Sequence, residues 1–224
     1  MPEPTPTNMT APEHQGPAAI LARLISIDSA NPDLGPSAGE AVIADFAGEW
    51  LTARGFEVHR LEQRRGRLSI VAVAHGSGGG RSLMLNGHLD TVGLGGFDGD
   101  PLTPAIREGR MFGRGAFDMK GRIAGIMVAG VRALARGLRG DLLLALVADE
   151  EHSSFGTEEV LGSFRADGAI VCEPTNLDVV PRTSSWGSET PIRARATPVR
   201  STDVVSRLSC RPHPRPPPRQ RPTT

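Results

Sequence analysis

Apolar residues recur along this chain with two different periods, and the switch between them marks out its elements. In "PAAILARLISID", Ile20, Leu21, Leu24 and Ile27 fall at helical spacing behind Pro17, a residue suited to a first turn, which predicts a helix. "GEAVIADFAGEWLTARG" repeats the pattern through Val42, Ile43, Phe46, Trp50 and Leu51 and stops at Gly55, which predicts a second. The period then shortens. "FEVHRL", "LSIVAVAH" and "SLMLNG" are short and apolar or alternating, as strands are, and the run "GSGGG" at 76–80 separates the last two. That glycine run lacks the Lys-Ser/Thr and the following helix of a phosphate loop, so a plain connecting turn is expected.

Further on, "PAIREGRMFGRG" predicts a small hairpin. From Met119 to Arg136 apolar residues at 119, 123, 126, 127, 131 and 134 form one helix face. "DLLLALVA", a short helix around Thr157 to Leu161, and "GAIVC" complete the pattern. Strands that alternate with helices and are almost continuously apolar imply an α/β fold: a three-layer α/β/α arrangement around a mostly parallel sheet covered on both faces.

Composition changes the picture at the two ends. Residues 1–15 are Pro- and Thr-rich with nothing to bury, and are expected to be a disordered leader. The 25 basic and 25 acidic residues cancel over the chain, yet nine of the arginines, and only Glu189 and Asp203 among the acids, lie in 182–224. This Arg/Pro-rich tail begins in mid-pattern, and is expected to be disordered or an out-of-frame reading of GC-rich DNA, leaving 16–181 as the folded part. It has no lysine, and Trp186 is its one aromatic residue, so a nucleic-acid partner is not expected.

Cys172 and Cys210 stand alone, with no C-x-x-C pair, which excludes a disulfide framework and a thiolate zinc cage and suits a reducing, cytoplasmic setting. The first residues carry Pro and acid where a signal peptide needs basic residues before an apolar run, and no stretch approaches a membrane span. No membrane partner is expected either.

The candidate chemistry lies at the ends of the apolar runs. "SLMLNG" is followed by His88 and Asp90, "LLLALVA" by Asp149, Glu150 and Glu151, and "GAIVC" by Glu173, while Asp118 opens the long helix. In open α/β sheets ligands bind outside the carboxyl ends of the strands, so groups distant in sequence can share one crevice there. One imidazole and several carboxylates around a point suit a divalent cation, or two bridged by a common ligand. His88 and Asp90, two apart in an extended segment, share a face, which lets Asp90 hold the other ring nitrogen of His88. Glu150 and Glu151 point differently, so one can ligate while the other handles a proton.

"GHLDTV", "GRGAFDMKG", "ADEE" and "CEPT", in this order and at these intervals, resemble the dinuclear zinc amidohydrolases and peptidases that include acetylornithine deacetylase, succinyl-diaminopimelate desuccinylase and glutamate carboxypeptidase. The resemblance covers about residues 17 to 180 and implies that this stretch is the N-terminal part of a metallohydrolase catalytic domain. It implies that His88 and Glu173 bind one Zn2+, that Glu151 binds a second, and that Asp118 bridges them, with Co2+ or Mn2+ as possible replacements. Asp90 would orient His88, and Glu150 would be the general base for a water attacking an amide carbonyl. The implied substrate is an N-acyl amino acid or short peptide.

The resemblance also implies a lid or dimerisation domain after "CEPT" and a later His ligand, and neither has a recognisable counterpart here. His213 lies in "RPHPRPPPRQRP" with no apolar strand before it, His152 is no better placed, and Arg122 stands where relatives carry a small residue. At most weak amidase activity is therefore expected of the chain, with a homodimer only where a lid domain is present. The alternative is a non-catalytic metal- or peptide-binding remnant with a basic tail.

Overall fold

The computed structural model describes residues 16–175; the leader at 1–15, the tail at 182–224 and His213 lie outside the described residues. Its helices are α1 (Pro17–Ile25), α2 (Ala41–Thr52), α3 (Gly121–Ala135) and α4 (Phe155–Ser163). Its strands are β1 (Glu57–Arg64), β2 (Arg67–Ala74), β3 (Leu83–His88), β4 (Ala105–Arg107), β5 (Arg110–Phe112), β6 (Leu142–Val147) and β7 (Gly168–Val171). Pro17 occupies the first turn of α1, where its missing N–H has no helical partner to lose. Past the end of α2, Gly55 takes a φ of 88°, a left-handed conformation that turns the chain into β1.

Two strands carry the core. Every residue of β2 and of β6 is buried, which explains why both are almost continuously apolar, Arg67 and Ser69 of β2 excepted. Ile70, Ala72 and Ala74 of β2 join Leu142, Leu144 and Leu146 of β6 in one cluster with residues of α1, α2 and α3. The alternate residues, Val71, Val73, Leu143, Ala145 and Val147, pack with Met84 and with Val160 of α4 on the opposite face. The three-layer α/β/α arrangement follows from this alternation.

The main sheet runs β1-β2-β6-β3-β7, and β4 and β5 form the separate hairpin that was expected. Its pairings are mixed: β3 lies parallel to β6 and to β7, whereas β1-β2 and β2-β6 are antiparallel. The mostly parallel expectation thus describes one half of the sheet. In the other half, Arg65 and Gly66 join β1 to β2 so tightly that the chain can only reverse, because a parallel pair needs a crossover of a dozen or more residues.

The other difference concerns Asp118, which does not open the long helix. It lies in a kinked turn, Ala116–Lys120, with extended backbone (φ −124°, ψ 101°), and α3 starts only at Gly121. The helical spacing from Met119 onward still marks the buried face, since Met119, Ile123, Ile126 and Met127 are all in the core. Among the described residues no helix is long and apolar enough to cross a membrane.

Candidate metal centre

Because β3, β6 and β7 are parallel, their carboxyl ends lie along one rim of the sheet, and each delivers a titratable group there. His88 is the last residue of β3, Glu150 and Glu151 follow β6, and Glu173 follows β7, where the Cys172 amide still donates to the Asn86 carbonyl at 3.0 Å. The turn before α3 brings Asp118 to the same point. His88 Nε2 is 3.2 Å from Asp118 Oδ1, 3.9 Å from Glu150 Oε2 and 4.0 Å from Glu173 Oε1. One ligand atom from each of His88, Asp118 and Glu173 falls within 4.8 Å of the other two.

Asp90 is fully buried, but it meets His88 differently from the sequence expectation. The partner of His88 Nδ1 is the main-chain carbonyl of Asp90, at 2.9 Å, while the nearest carboxylate oxygen lies at 3.6 Å, beyond a normal hydrogen bond. The carboxylate faces the β6 end instead: Oδ1 accepts from the Glu150 amide at 3.0 Å and Oδ2 from the Glu151 amide at 3.1 Å. Residue 90 therefore holds both the imidazole and the paired glutamates.

Sequence reading missed the polar groups behind this arrangement. Asn31 Nδ2 donates to Asp90 Oδ2 at 2.7 Å and to Asp149 Oδ1 at 3.0 Å. Arg67 donates to Glu40 through Nε and Nη2, to Asp33 through Nη1 at 2.6 Å and to Asp149 through Nη2 at 2.7 Å. It reaches this rim because β2 is antiparallel to β6, so the first residue of β2 lies beside the end of β6. No apolar period marks either residue; "NP" and the strand pairing were the available hints. His152 belongs to this second group, 3.9 Å from both Asp33 and Asp149, and the Arg67 guanidinium already supplies its positive charge.

The electrostatics match a cation-binding centre. Burial opposes a charge on His88, but Asp90, Glu173 and Glu150 outweigh it and raise its pKa to about 10. Burial, reinforced by Asp118 and Glu150, lifts both Glu151 and Glu173 above the usual carboxylate range, with His88 opposing. Burial also works against the Asp90 anion, yet the nearby His88 and the hydrogen bonds from Asn31 and the Glu151 amide keep it below that range. One imidazole thus faces Asp118, Glu150 and Glu173, and burial makes the charged forms of Glu151 and Glu173 costly. A divalent cation fits the same position, with an imidazole nitrogen and carboxylate oxygens as its donors.

A family model described as peptidase family M20/M25/M40 matches residues 84–215, more than half of the chain. A succinyl-diaminopimelate desuccinylase from Gluconacetobacter diazotrophicus is 36% identical over 214 residues, covering 86% of this chain and 54% of its own length. An acetylornithine deacetylase from Myxococcus xanthus is 35% identical over 168 residues, covering 71% of this chain and 42% of its own. The chain thus spans about half the length of the curated relatives it matches. Among solved structures, an M20 family metallo-carboxypeptidase from Sulfolobus solfataricus superposes with a TM-score of 0.60 at 19% identity, over 70% of this chain and 37% of that one.

Proposed function

Because this chain belongs to peptidase family M20/M25/M40, we propose that it is part of a metal-dependent hydrolase that opens the amide bond of an N-acyl amino acid or short peptide. The observation that carries the reading is the convergence of His88, Asp118 and Glu173 within 4.8 Å at the ends of three elements distant in sequence. In this reading those three residues hold one divalent ion, and Glu151 with Asp118 offers carboxylates to a second. The mixed imidazole and carboxylate set favours Zn2+, with Co2+ or Mn2+ as substitutes. Such an ion supplies Lewis acidity toward the substrate carbonyl and toward water.

The chain's own groups do the rest. Glu150, partly exposed and 3.9 Å from His88, takes the proton from the attacking water and returns it to the leaving amine. Asp90 fixes the direction in which Glu150 and Glu151 leave the main chain. The names of the relatives, a desuccinylase and a deacetylase, support an N-acyl amino acid as the substrate. The cysteine usage supports a reducing, cytoplasmic setting.

A second reading, a metal-binding remnant without catalysis, is favoured by the single imidazole at the cluster among the described residues. Glu150→Gln separates the two. For a hydrolase, turnover of N-acetyl amino acids falls by roughly a hundred- to ten-thousand-fold, while Co2+ affinity measured by titration calorimetry stays within a few-fold of the parent. Co2+ binding with no turnover in the parent chain selects the remnant. A parent chain that binds no Co2+ removes both.

A further inference from the structure

We propose that Asn31 is a positioning residue whose carboxamide sets the direction of Glu150 and Glu151 by holding the Asp90 carboxylate that collects their amides. The inference rests on the reading of those glutamates as base and ligand, and extends it to a loop 119 residues away that no apolar pattern connects to them.

Asn31 is fully buried and its backbone is tied to the β3 end. Its amide donates to the Thr91 carbonyl at 2.8 Å, the Thr91 amide donates to Ser29 at 3.1 Å, and Ser29 Oγ donates to the Leu89 carbonyl at 2.8 Å. Its side-chain oxygen accepts from the Asp33 amide at 3.0 Å, which leaves both Nδ2 hydrogens facing the carboxylates. One goes to Asp90 and the other to Asp149, so a neutral donor stands between two buried anions.

The consequences run outward in both directions. On one side Asp149, which has a left-handed φ of 65°, is held by Arg67 as well, and it starts the segment that carries Glu150 and Glu151. On the other, each oxygen of Asp90 is aimed at one of the two glutamate amides. Without the carboxamide, Asp90 keeps only the two glutamate amides, its carboxylate is held less firmly, and the donor shared by Asp90 and Asp149 is lost. A residue that merely filled space here would need no donor at all.

The test is amide hydrogen exchange, followed by NMR on the whole metal-free chain, with Co2+ titration of the same samples. In Asn31→Ala the Glu150 and Glu151 amides are expected to exchange about tenfold faster or more, the size of one lost hydrogen bond, while amides in the centre of β6 such as Leu144 are unchanged. Co2+ affinity is expected to fall by roughly ten- to a hundred-fold, as it does when supporting groups behind metal ligands are removed. Unchanged exchange at residues 150 and 151 overturns the proposal, and so does a uniform acceleration across the sheet, which would mark a purely structural role. Should Asn31→Ala not fold, Asn31→Ser, which keeps a shorter donor, is judged by the same two amides. A parent chain that fails to bind Co2+ overturns the metal reading of the preceding section, while the exchange comparison still decides this one.

Discussion

Glu159 shows what one side chain costs when its burial is not matched by partners. It is 7% exposed, and its Oε2 has no hydrogen-bond partner, an arrangement that costs about 1–3 kcal/mol. Burial accordingly raises its pKa, with Glu62 adding to the effect and the Gln63 amide opposing it. The raised value means that the folded chain holds this proton more tightly than the unfolded chain does. The resulting stability is fully present below the ordinary glutamate pKa and is lost as pH rises through the folded value. Glu159→Gln is therefore expected to stabilise the chain by about 1 kcal/mol at neutral pH, and the gain should disappear as pH falls toward that of an unperturbed glutamate. Urea denaturation of both forms across that range measures the difference, and a gain independent of pH would assign the cost to packing. The same side-chain scale separates what could be foreseen from what could not. His88, Glu150, Glu151 and Glu173 were visible because each follows an apolar run that ends at the rim. Asn31, Arg67 and the buried Lys120, whose Nζ donates to the Ile27 carbonyl at 2.8 Å, were not, because tertiary contacts alone bury them.

Among the elements, the packing of β3 against the turn before α3 constrains the site. A Cβ on Gly87 would lie 2.8 Å from Met119 Cε and 3.2 Å from Ile126 Cδ1, so the ends of these two side chains occupy space that residue 87 leaves by having no side chain. Met119 also accepts from the His88 amide through its sulfur at 3.2 Å, and it adjoins Asp118. Gly87→Ala is expected to cost about 1 kcal/mol, because the ends of the Met119 and Ile126 side chains must move aside. Met119→Ala on its own leaves a cavity worth about 2–5 kcal/mol. The double substitution should cost less than the sum by up to about 1 kcal/mol, because the new methyl enters the space that Met119 vacates. Strictly additive denaturation free energies would show that the overlap relaxes elsewhere. Periodicity located nearly every element here, because burial alternates with the strand and helix periods. Strand direction and the kink at Asp118 escaped it, since both depend on which element lies alongside and not on which residues are apolar.

At the scale of the whole molecule, the sheet is closed unevenly. β2 and β6 are covered on both faces, yet β7 has β3 as its single neighbour among the described residues, and Ile170 and Val171 are 46% and 60% exposed. An edge strand with apolar side chains and free backbone groups is a template for pairing with another chain. The edge also stands next to the metal centre, since Glu173 lies two residues beyond Val171. Self-association through β7 would therefore bury the approach to Glu173 as well as the edge. The 224-residue chain is expected to show an apparent mass that rises with concentration in light scattering. Ile170→Lys, which places a charge on that edge, should shift it toward the monomer and leave Co2+ affinity nearly unchanged. A monomer at every concentration would mean that the β7 edge does not drive association.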